Sequence, residues 1–267
     1  MTKSDILPIR VGVAGCSGRM GRQLTDAILE SIEFRLVSAS VRPGNAFAQR
    51  DVGELLGRPK QGIVLTDDPN KLIADADVII DFSDTEAASV HVLVASRKQV
   101  PIVVCVTGFT SSQLSLLREA GRSNAVLLAP NTSLSVALLV KLVEVASATL
   151  GPGWGAGILD IHHRAKKDSP SGTALALQAA LERGFAGQKS AAGEGQGGSN
   201  IQNVEVASIR AGSVVGDHTV YLCGSGERIE LIHKAQNRAV FVEGALNAAR
   251  WLRGRPPGFY TMSDLIS

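Results

Sequence analysis

Short apolar runs alternate along this chain with longer stretches in which apolar residues recur every three or four positions. Ile9-Arg10-Val11-Gly12-Val13-Ala14 is a compact apolar strand, and residues 22–29 follow at helical spacing. Residues 34–40 predict a second strand. Residues 43–62 carry Pro43, Gly44, Gly53, Gly57, Pro59 and Gly62 and read as loop. A short strand at 63–65 and a proline-started helix around 70–74 come next. The pattern then runs strand 77–82, helix 85–97, strand 101–106, helix 111–120 and strand 125–129. Strands and helices in strict alternation predict a parallel sheet covered on both faces.

The pattern changes after Asn131. Residues 134–150 form one apolar-rich helix, and residues 158–161 read as a strand followed by a helix at 173–182. Residues 187–200, rich in Gly, Ser, Ala and Gln, read as a mobile loop. Three strands follow at 204–210, 218–223 and 228–234, separated by short glycine-containing turns that suit antiparallel neighbours. With residues 158–163 they make a mixed sheet. Both of its faces carry apolar residues: Val204 and Val206 against Ala207 and Ile209, Val220 and Leu222 against Tyr221. One layer of helices covers one face, so the other is expected to meet another subunit. A helix at 239–252 and a tail at 256–262 close the chain. The expected class is α/β: an N-terminal Rossmann-like doubly wound parallel sheet plus a C-terminal α+β domain with a mixed, mainly open sheet. The expected division is 1–131 with 240–267 as the dinucleotide-binding domain, and 132–239 as the substrate-binding and oligomerisation domain.

Two stretches carry candidate chemistry. In the first, Gly15-Cys16-Ser17-Gly18-Arg19-Met20-Gly21 joins the first strand to the first helix, the context a dinucleotide turn needs. Gly15 would allow the tight turn, Gly18 the approach of a diphosphate, and Gly21 close packing of helix on strand. Ligands of such sheets bind outside the carboxyl ends of the strands, which places Ser83, Thr107-Gly108 and Pro130-Asn131 nearby. Taken singly, each of these suits a structural turn as well as a ligand. About 20 residues past the turn, where an NAD-binding chain usually offers a carboxylate, stand Val41 and Arg42. An arginine there attracts a 2′-phosphate, so NADPH is expected to bind at least as well as NADH.

The second stretch runs from His162-His163-Arg164-Ala165-Lys166-Lys167-Asp168 to Ser169-Pro170-Ser171-Gly172-Thr173. Pro170 suits a first helical turn, and Asp168 or Ser169 can cap it. The backbone N–H groups of Ser171, Gly172 and Thr173 would then offer a seat for a carboxylate or phosphate. Adjacent histidines are also common as surface decoration. They do not suggest a metal, because strand neighbours point to opposite faces and no Cys, Asp or Glu spacing nearby completes a ligand set.

Composition narrows the function classes. The 267 residues are 45% hydrophobic and 19% charged, with a net charge of +2. That balance builds a large core and gives no argument for nucleic acid, since no basic run is interleaved with aromatics. No apolar run reaches the length of a membrane span, and Met1-Thr2-Lys3-Ser4-Asp5 shows no signal-peptide pattern. Cys16, Cys105 and Cys223 are an odd number without framework spacing, which suggests free thiols and a cytoplasmic protein.

The chain resembles the 4-hydroxy-tetrahydrodipicolinate reductase (dihydrodipicolinate reductase) family of lysine and diaminopimelate synthesis. The resemblance is carried by the glycine-rich turn, Asp81-Phe82-Ser83, Thr107-Gly108-Phe109, His162-His163-Arg164 with Lys166, Ser169-Pro170-Ser171-Gly172-Thr173-Ala174-Leu175, Gly216-Asp217-His218-Thr219 and Gly226-Glu227-Arg228-Ile229-Glu230-Leu231. It implies a reductase using NADPH and/or NADH on a cyclic imine dicarboxylate, with His162 as acid/base and Lys166 as substrate ligand and possible proton donor; water is the third proton source left open. His163, Ser171, Gly172 and Thr173 are implied as substrate contacts. Cofactor contacts are implied at Gly15, Cys16, Ser17, Gly18, Arg19, Met20, Arg42, Ser83, Cys105, Val106, Thr107, Ala129, Pro130, Asn131 and Thr132. A homotetramer built through the second domain's sheet and hinge closure are implied too. Departures from the family pattern fall at Val41, Cys105-Val106 and Asn131-Thr132-Ser133. A related reductase for another imine or semialdehyde, and a non-catalytic NADPH sensor, are the competing readings.

Overall fold

A computed structural model describes residues 7–151, 153–186 and 204–267. The residues fall into two units, one reaching to Thr132 and resuming over Phe241–Leu265, the other spanning Ser133–Val240.

The first unit holds a six-stranded, fully parallel sheet. Its strands are β1 (Ile9–Ala14), β2 (Phe34–Ala39), β3 (Val78–Asp81), β4 (Ile102–Val104), β5 (Ala125–Leu128) and β10 (Gly258–Thr261), in the order β10-β5-β4-β3-β1-β2. Its helices are α1 (Arg19–Leu29), α2 (Val52–Leu56), α3 (Pro69–Ile73), α4 (Thr85–Lys98), α5 (Ser111–Ala120) and α8 (Ala239–Leu252). Strands β1, β3 and β4 are almost wholly apolar because a parallel sheet is buried on both faces. Leu72, Ile73, Ala88, Val92, Ala95 and Leu117 from α3, α4 and α5 pack on Ile79, Ile102, Val104 and Val126. Helices α4 and α5 start where side chains cap them: Asp84 accepts from Ala87 N–H at the start of α4, and Thr110 forms a capping box with Gln113 at the start of α5.

Three details differ from the sequence pattern. Residues 63–65 form no strand; Val64 and Thr66 make only single bridges to Asp51 and Ser40. The loop at 43–62 contains the short helix α2, whose end at Gly57 takes a left-handed conformation. The tail supplies β10, which pairs with β5 at the sheet edge. Its Phe-Tyr-Thr core is too short to show an alternating pattern.

The second unit holds α6 (Leu134–Leu150), β6 (Gly155–His162), α7 (Gly172–Ala186), β7 (Glu205–Arg210), β8 (Gly216–Cys223) and β9 (Arg228–Ala235). The sheet order is β7-β6-β8-β9. β7 lies parallel to β6 rather than antiparallel to β8, so the three late strands are not consecutive neighbours as the short turns suggested. Ile158, Val220 and Leu222 face Leu139, Val143, Ala174, Leu177 and Leu181 of α6 and α7. Gly184 lets these two helices close up, because a Cβ there would lie 2.6 Å from the Glu144 carbonyl oxygen. The segment read as a mobile loop, residues 187–200, lies outside the described residues.

Candidate active site

In the first unit, the glycine-rich turn leaves β1 at its carboxyl end. Gly15 has φ +72°, and a Cβ there would come 2.6 Å from the Phe82 carbonyl oxygen. The Gly18 N–H donates to the Gly15 carbonyl at 3.0 Å. Gly18 then begins α1 with no side-chain cap, and the helix has no acidic residue in its first turn. An uncapped N-terminus without carboxylates favours an anion. A cleft of about 540 Å³ opens here, within the range of small-molecule sites. Gly15, Ser17, Gly18, Arg42 and Ser83 line it, together with Ser40, Val41 and Asp67.

Several expected cofactor residues lie outside the lining of this cleft. Cys16 is fully buried, its thiol donates to the Ser40 carbonyl at 3.1 Å, and burial pushes it up to about 12. Its side chain therefore faces the core, leaving only its backbone to a ligand. Cys105 is buried as well, and its thiol is likewise raised by burial. Arg19, Met20, Val106, Thr107, Ala129, Pro130, Asn131 and Thr132 do not line the cleft. Cys105–Thr107 follow β4 and Ala129–Thr132 follow β5, at the carboxyl edge of the same sheet. Thr132 donates through Oγ1 to the Phe241 carbonyl at 2.6 Å, which ties the end of this run to α8.

His91 was not evident from sequence. It lines the cleft from α4, and its Nδ1 sits 2.7 Å from Asp81 Oδ2. Asp81 is fully buried at the end of β3 and also accepts from the Ser83 N–H at 2.8 Å. Asp67 likewise escaped notice. The bond from Val41 N–H to the Thr66 carbonyl, 3.0 Å, brings it to the end of β2 alongside Arg42.

In the second unit, alternation along β6 decides the geometry. Ile158, Asp160 and His162 point to the face that α7 covers, and all three are buried. Asp160 is directly opposite Ser208 of β7 and His218 of β8. Next to that row, His162 pairs with Arg210. The Asp160 carboxylate, fully buried, is surrounded by donors. It accepts from Ser171 N–H at 3.1 Å and Ser171 Oγ at 2.8 Å, from Ser208 Oγ at 3.2 Å and from Arg210 Nη2 at 3.2 Å. His162 Nδ1 lies 2.9 Å and His218 Nε2 3.4 Å from its Oδ1. Burial pushes this carboxyl up, but the contacts from His162, His218 and Ser171 outweigh it and hold it far below the ordinary carboxylate range.

Ser171, not Asp168 or Ser169, caps α7. Its hydroxyl accepts from Ala174 N–H at 3.1 Å and its carbonyl from Leu175 N–H at 3.0 Å. Pro170 therefore precedes the helix, and Gly172 and Thr173 open it. The Ser171 N–H and hydroxyl are committed to Asp160, so of the three expected seat residues Gly172 and Thr173 supply the first-turn N–H groups. Lys166 pairs with Asp168 at 2.7 Å, and the Asp168 carbonyl accepts from Arg210 at 2.6 Å. His163 Nε2 stands 3.4 Å from Arg238 Nη2.

The expectation that no ligand set assembles here is corrected. Asp160, His162 and His218 bring one ligand atom each within 4.8 Å of one another. Asp160 comes from two residues upstream and His218 from 56 residues downstream of His162 on a neighbouring strand, so local spacing did not show the group. The Arg210 guanidinium already supplies positive charge to the same carboxylate, which makes the cluster a hydrogen-bonded charge network.

Comparison with known proteins identifies the family of the chain. A family model described as "Dihydrodipicolinate reductase, N-terminus" matches residues 9–132, and one described as "Dihydrodipicolinate reductase, C-terminus" matches residues 135–266. A 4-hydroxy-tetrahydrodipicolinate reductase of Aromatoleum aromaticum is 39% identical over 272 residues, covering 98% of this chain and 97% of the relative. That of Aquifex aeolicus is 39% identical over 264 residues, covering 97% and 99%. The solved dihydrodipicolinate reductase of Paenisporosarcina, with dipicolinate bound, shares the fold at a TM-score of 0.75 and 22% identity, covering 96% of this chain and 98% of its own. The chain belongs to the dihydrodipicolinate reductase family.

Proposed function

We propose that this protein reduces the cyclic imine dicarboxylate derived from 4-hydroxy-tetrahydrodipicolinate to tetrahydrodipicolinate, in lysine and diaminopimelate synthesis. The observation that carries the reading is the second-unit cluster: His162 set over a buried carboxylate that Ser171, at the start of α7, also holds, with Lys166 on the segment that joins them. A nicotinamide dinucleotide supplies the hydride when bound. The chain's own residues do the rest. Gly172 and Thr173 at the start of α7 and Lys166 attract the substrate carboxylates. His163, adjoining Arg238, adds a further donor. His162 delivers the proton that completes the reduction, histidine being suited to proton transfer near neutral pH. Ser171 serves this site through Asp160 and the helix cap. The test is oxidation of NADPH and NADH on addition of freshly condensed pyruvate and aspartate semialdehyde. Rapid oxidation supports the reading; cofactor binding without oxidation would sink it.

The first unit fits the cofactor: Gly15 and Gly21 leave room only for backbone, and Gly18 opens an uncapped helix. Arg42 would meet the 2′-phosphate of NADPH. Arg42→Ala is expected to raise the NADPH Michaelis constant about tenfold, the value of one charge-assisted contact, and to leave that for NADH within about twofold. Steady-state kinetics with each cofactor checks this.

The sheet face turned away from α6 and α7 exposes Ile209 and Ile232, with Leu159, Ile161 and Tyr221 partly exposed. We assign this face to a homotetramer, in line with the apolar side chains it carries on all four strands, from Ile209 on β7 to Ile232 on β9. Light scattering at micromolar concentration is expected to give the mass of four chains, and Ile232→Asp to reduce it. A monomeric mass for the wild type would refute the assignment. The described residues contain no helix long and apolar enough to cross a membrane. All three cysteines are free, which suits the reducing cytoplasm.

A further inference from the structure

Asp160 and His218 have no part in the site as read from the sequence, yet they form its most heavily hydrogen-bonded point. The carboxylate is fully buried and lies on the same strand face as His162, one pleat below it. Five partners from four elements converge on it: Ser208 and Arg210 from β7, His218 from β8, Ser171 at the start of α7, and His162 from β6 itself. Burial of an ionised carboxylate is offset by such a set of donors filling its acceptor sites. This one is held by Ser171, Ser208 and Arg210, and its Oδ1 lies 2.9 Å from His162 Nδ1, a buried nitrogen that forms no aligned hydrogen bond and so has this carboxylate as its neighbouring acceptor.

We propose that Asp160 is the positioning residue of the reductase, fixing His162 with its proton on Nδ1 so that Nε2 is the nitrogen that gives the proton. This rests on the reading of His162 as the acid of the proposed reduction. The balance is simple. When imidazolium loses its Nε2 proton to the substrate, the neutral ring that remains carries hydrogen on Nδ1. That is the tautomer whose N–H donates to a carboxylate and not to another donor. Asp160 thus stabilises both the charged acid and the product of proton transfer, and remains ionised throughout. Gly216 serves the other side of the ring, since a Cβ there would lie 2.9 Å from His162 Nε2. His218 and Ser171 in turn hold the carboxylate. The Ser171 hydroxyl spans 2.8 Å to Asp160 and 3.3 Å to His218 Nε2. His233 stands behind His218, ring centroids 6.3 Å apart. Its imidazole is pushed down by burial, with the neighbouring His218 adding to this and Asp217 opposing it. Arg210, Lys166 and Asp168 are the other charged groups near the cluster.

The experiment is nitrogen-15 magnetic resonance of histidine-labelled full-length protein, with His162 assigned by its loss in His162→Ala. The wild type is expected to show neutral His162 almost wholly in the Nδ1–H form. Asp160→Asn, whose amide can donate to Nδ1, is expected to move it to the Nε2–H form. The same variant is expected to lower kcat by about a hundredfold or more while KM stays within about threefold, as when a histidine is left in the wrong tautomer. Asp160→Glu restores part of kcat. A wild-type His162 with its neutral proton on Nε2 would overturn the proposal even if Asp160→Asn failed to fold, because that measurement needs no substitution at Asp160. So would a folded Asp160→Asn with unchanged kcat. Absence of reductase turnover in the wild type would instead remove the underlying function, while the tautomer result would still stand by itself.

Discussion

His162→Ala is expected to lower kcat by about 10²- to 10⁴-fold, the range for loss of a positioned acid. The expectation follows from placement. The ring is buried on the covered face of β6, held at 2.9 Å from an ionised carboxylate. It lies two residues past Asp160 and ends the strand, with its Nε2 against Gly216. Removing it leaves Asp160 with Arg210, Ser171, Ser208 and His218, and the network stays neutralised. Folding is therefore expected to survive. The substrate KM is expected to change little, because the groups offered to the carboxylates are Lys166 and the start of α7. Cofactor affinity, measured by fluorescence titration of NADPH, is expected to match the wild type, because the cleft belongs to the other unit. Retention of most of kcat would transfer the proton to Lys166 or to water and remove His162 from the mechanism.

Gly21→Ala is expected to carry the largest effect on the first unit, and Gly18→Ala separates its two causes. A Cβ at position 21 would run into the Gly15 carbonyl oxygen and lie 2.7 Å from Cys16 Cα. Both are backbone atoms of the turn, so no side-chain rotation relieves the contact. The start of α1 must move away from the turn, with a cost of about 1–3 kcal/mol typical of overpacking. The same movement displaces the N–H groups that would hold a diphosphate, so NADPH affinity is expected to fall more than about tenfold, the loss of at least one charge-assisted contact. At position 18 a Cβ would meet only the Gly15 carbonyl oxygen, at 3.3 Å. Stability there is expected to change by less than about 1 kcal/mol, while affinity falls because the methyl occupies the approach of the ligand. Urea unfolding and NADPH titration on both variants test the pair. Equal loss of stability in the two would show that the turn does not distinguish packing from ligand approach.

Much of this protein was legible along the chain. The apolar runs of β1, β3, β4 and β5 announce a buried parallel sheet, since such strands lose contact with water on both faces. The ranges of α5, α6 and α8 follow from apolar spacing alone. The glycine-rich turn and the segment from His162 to Thr173 are local chemistry, and both occupy the places their order implied.

What the chain order could not show is anything set by pairing between distant strands. β7 sits beside β6 although β8 follows it in sequence, because sheet order depends on which edges meet and not on loop length. That pairing sets Ser208, Asp160, His218 and His233 in one row across the sheet, four polar residues drawn from four separate strands. Read singly, each looks like an ordinary strand residue. β10 joins the first sheet from the far end of the chain, and Asp81 meets His91 only because β3 and α4 fold face to face. The local segments thus determined the fold class and pointed to the two candidate sites. Tertiary structure alone decided that Ser208, Arg210 and His218 gather on Asp160 and that Asp81 meets His91, because strand pairing and burial turn residues distant in sequence into short, weakly screened contacts.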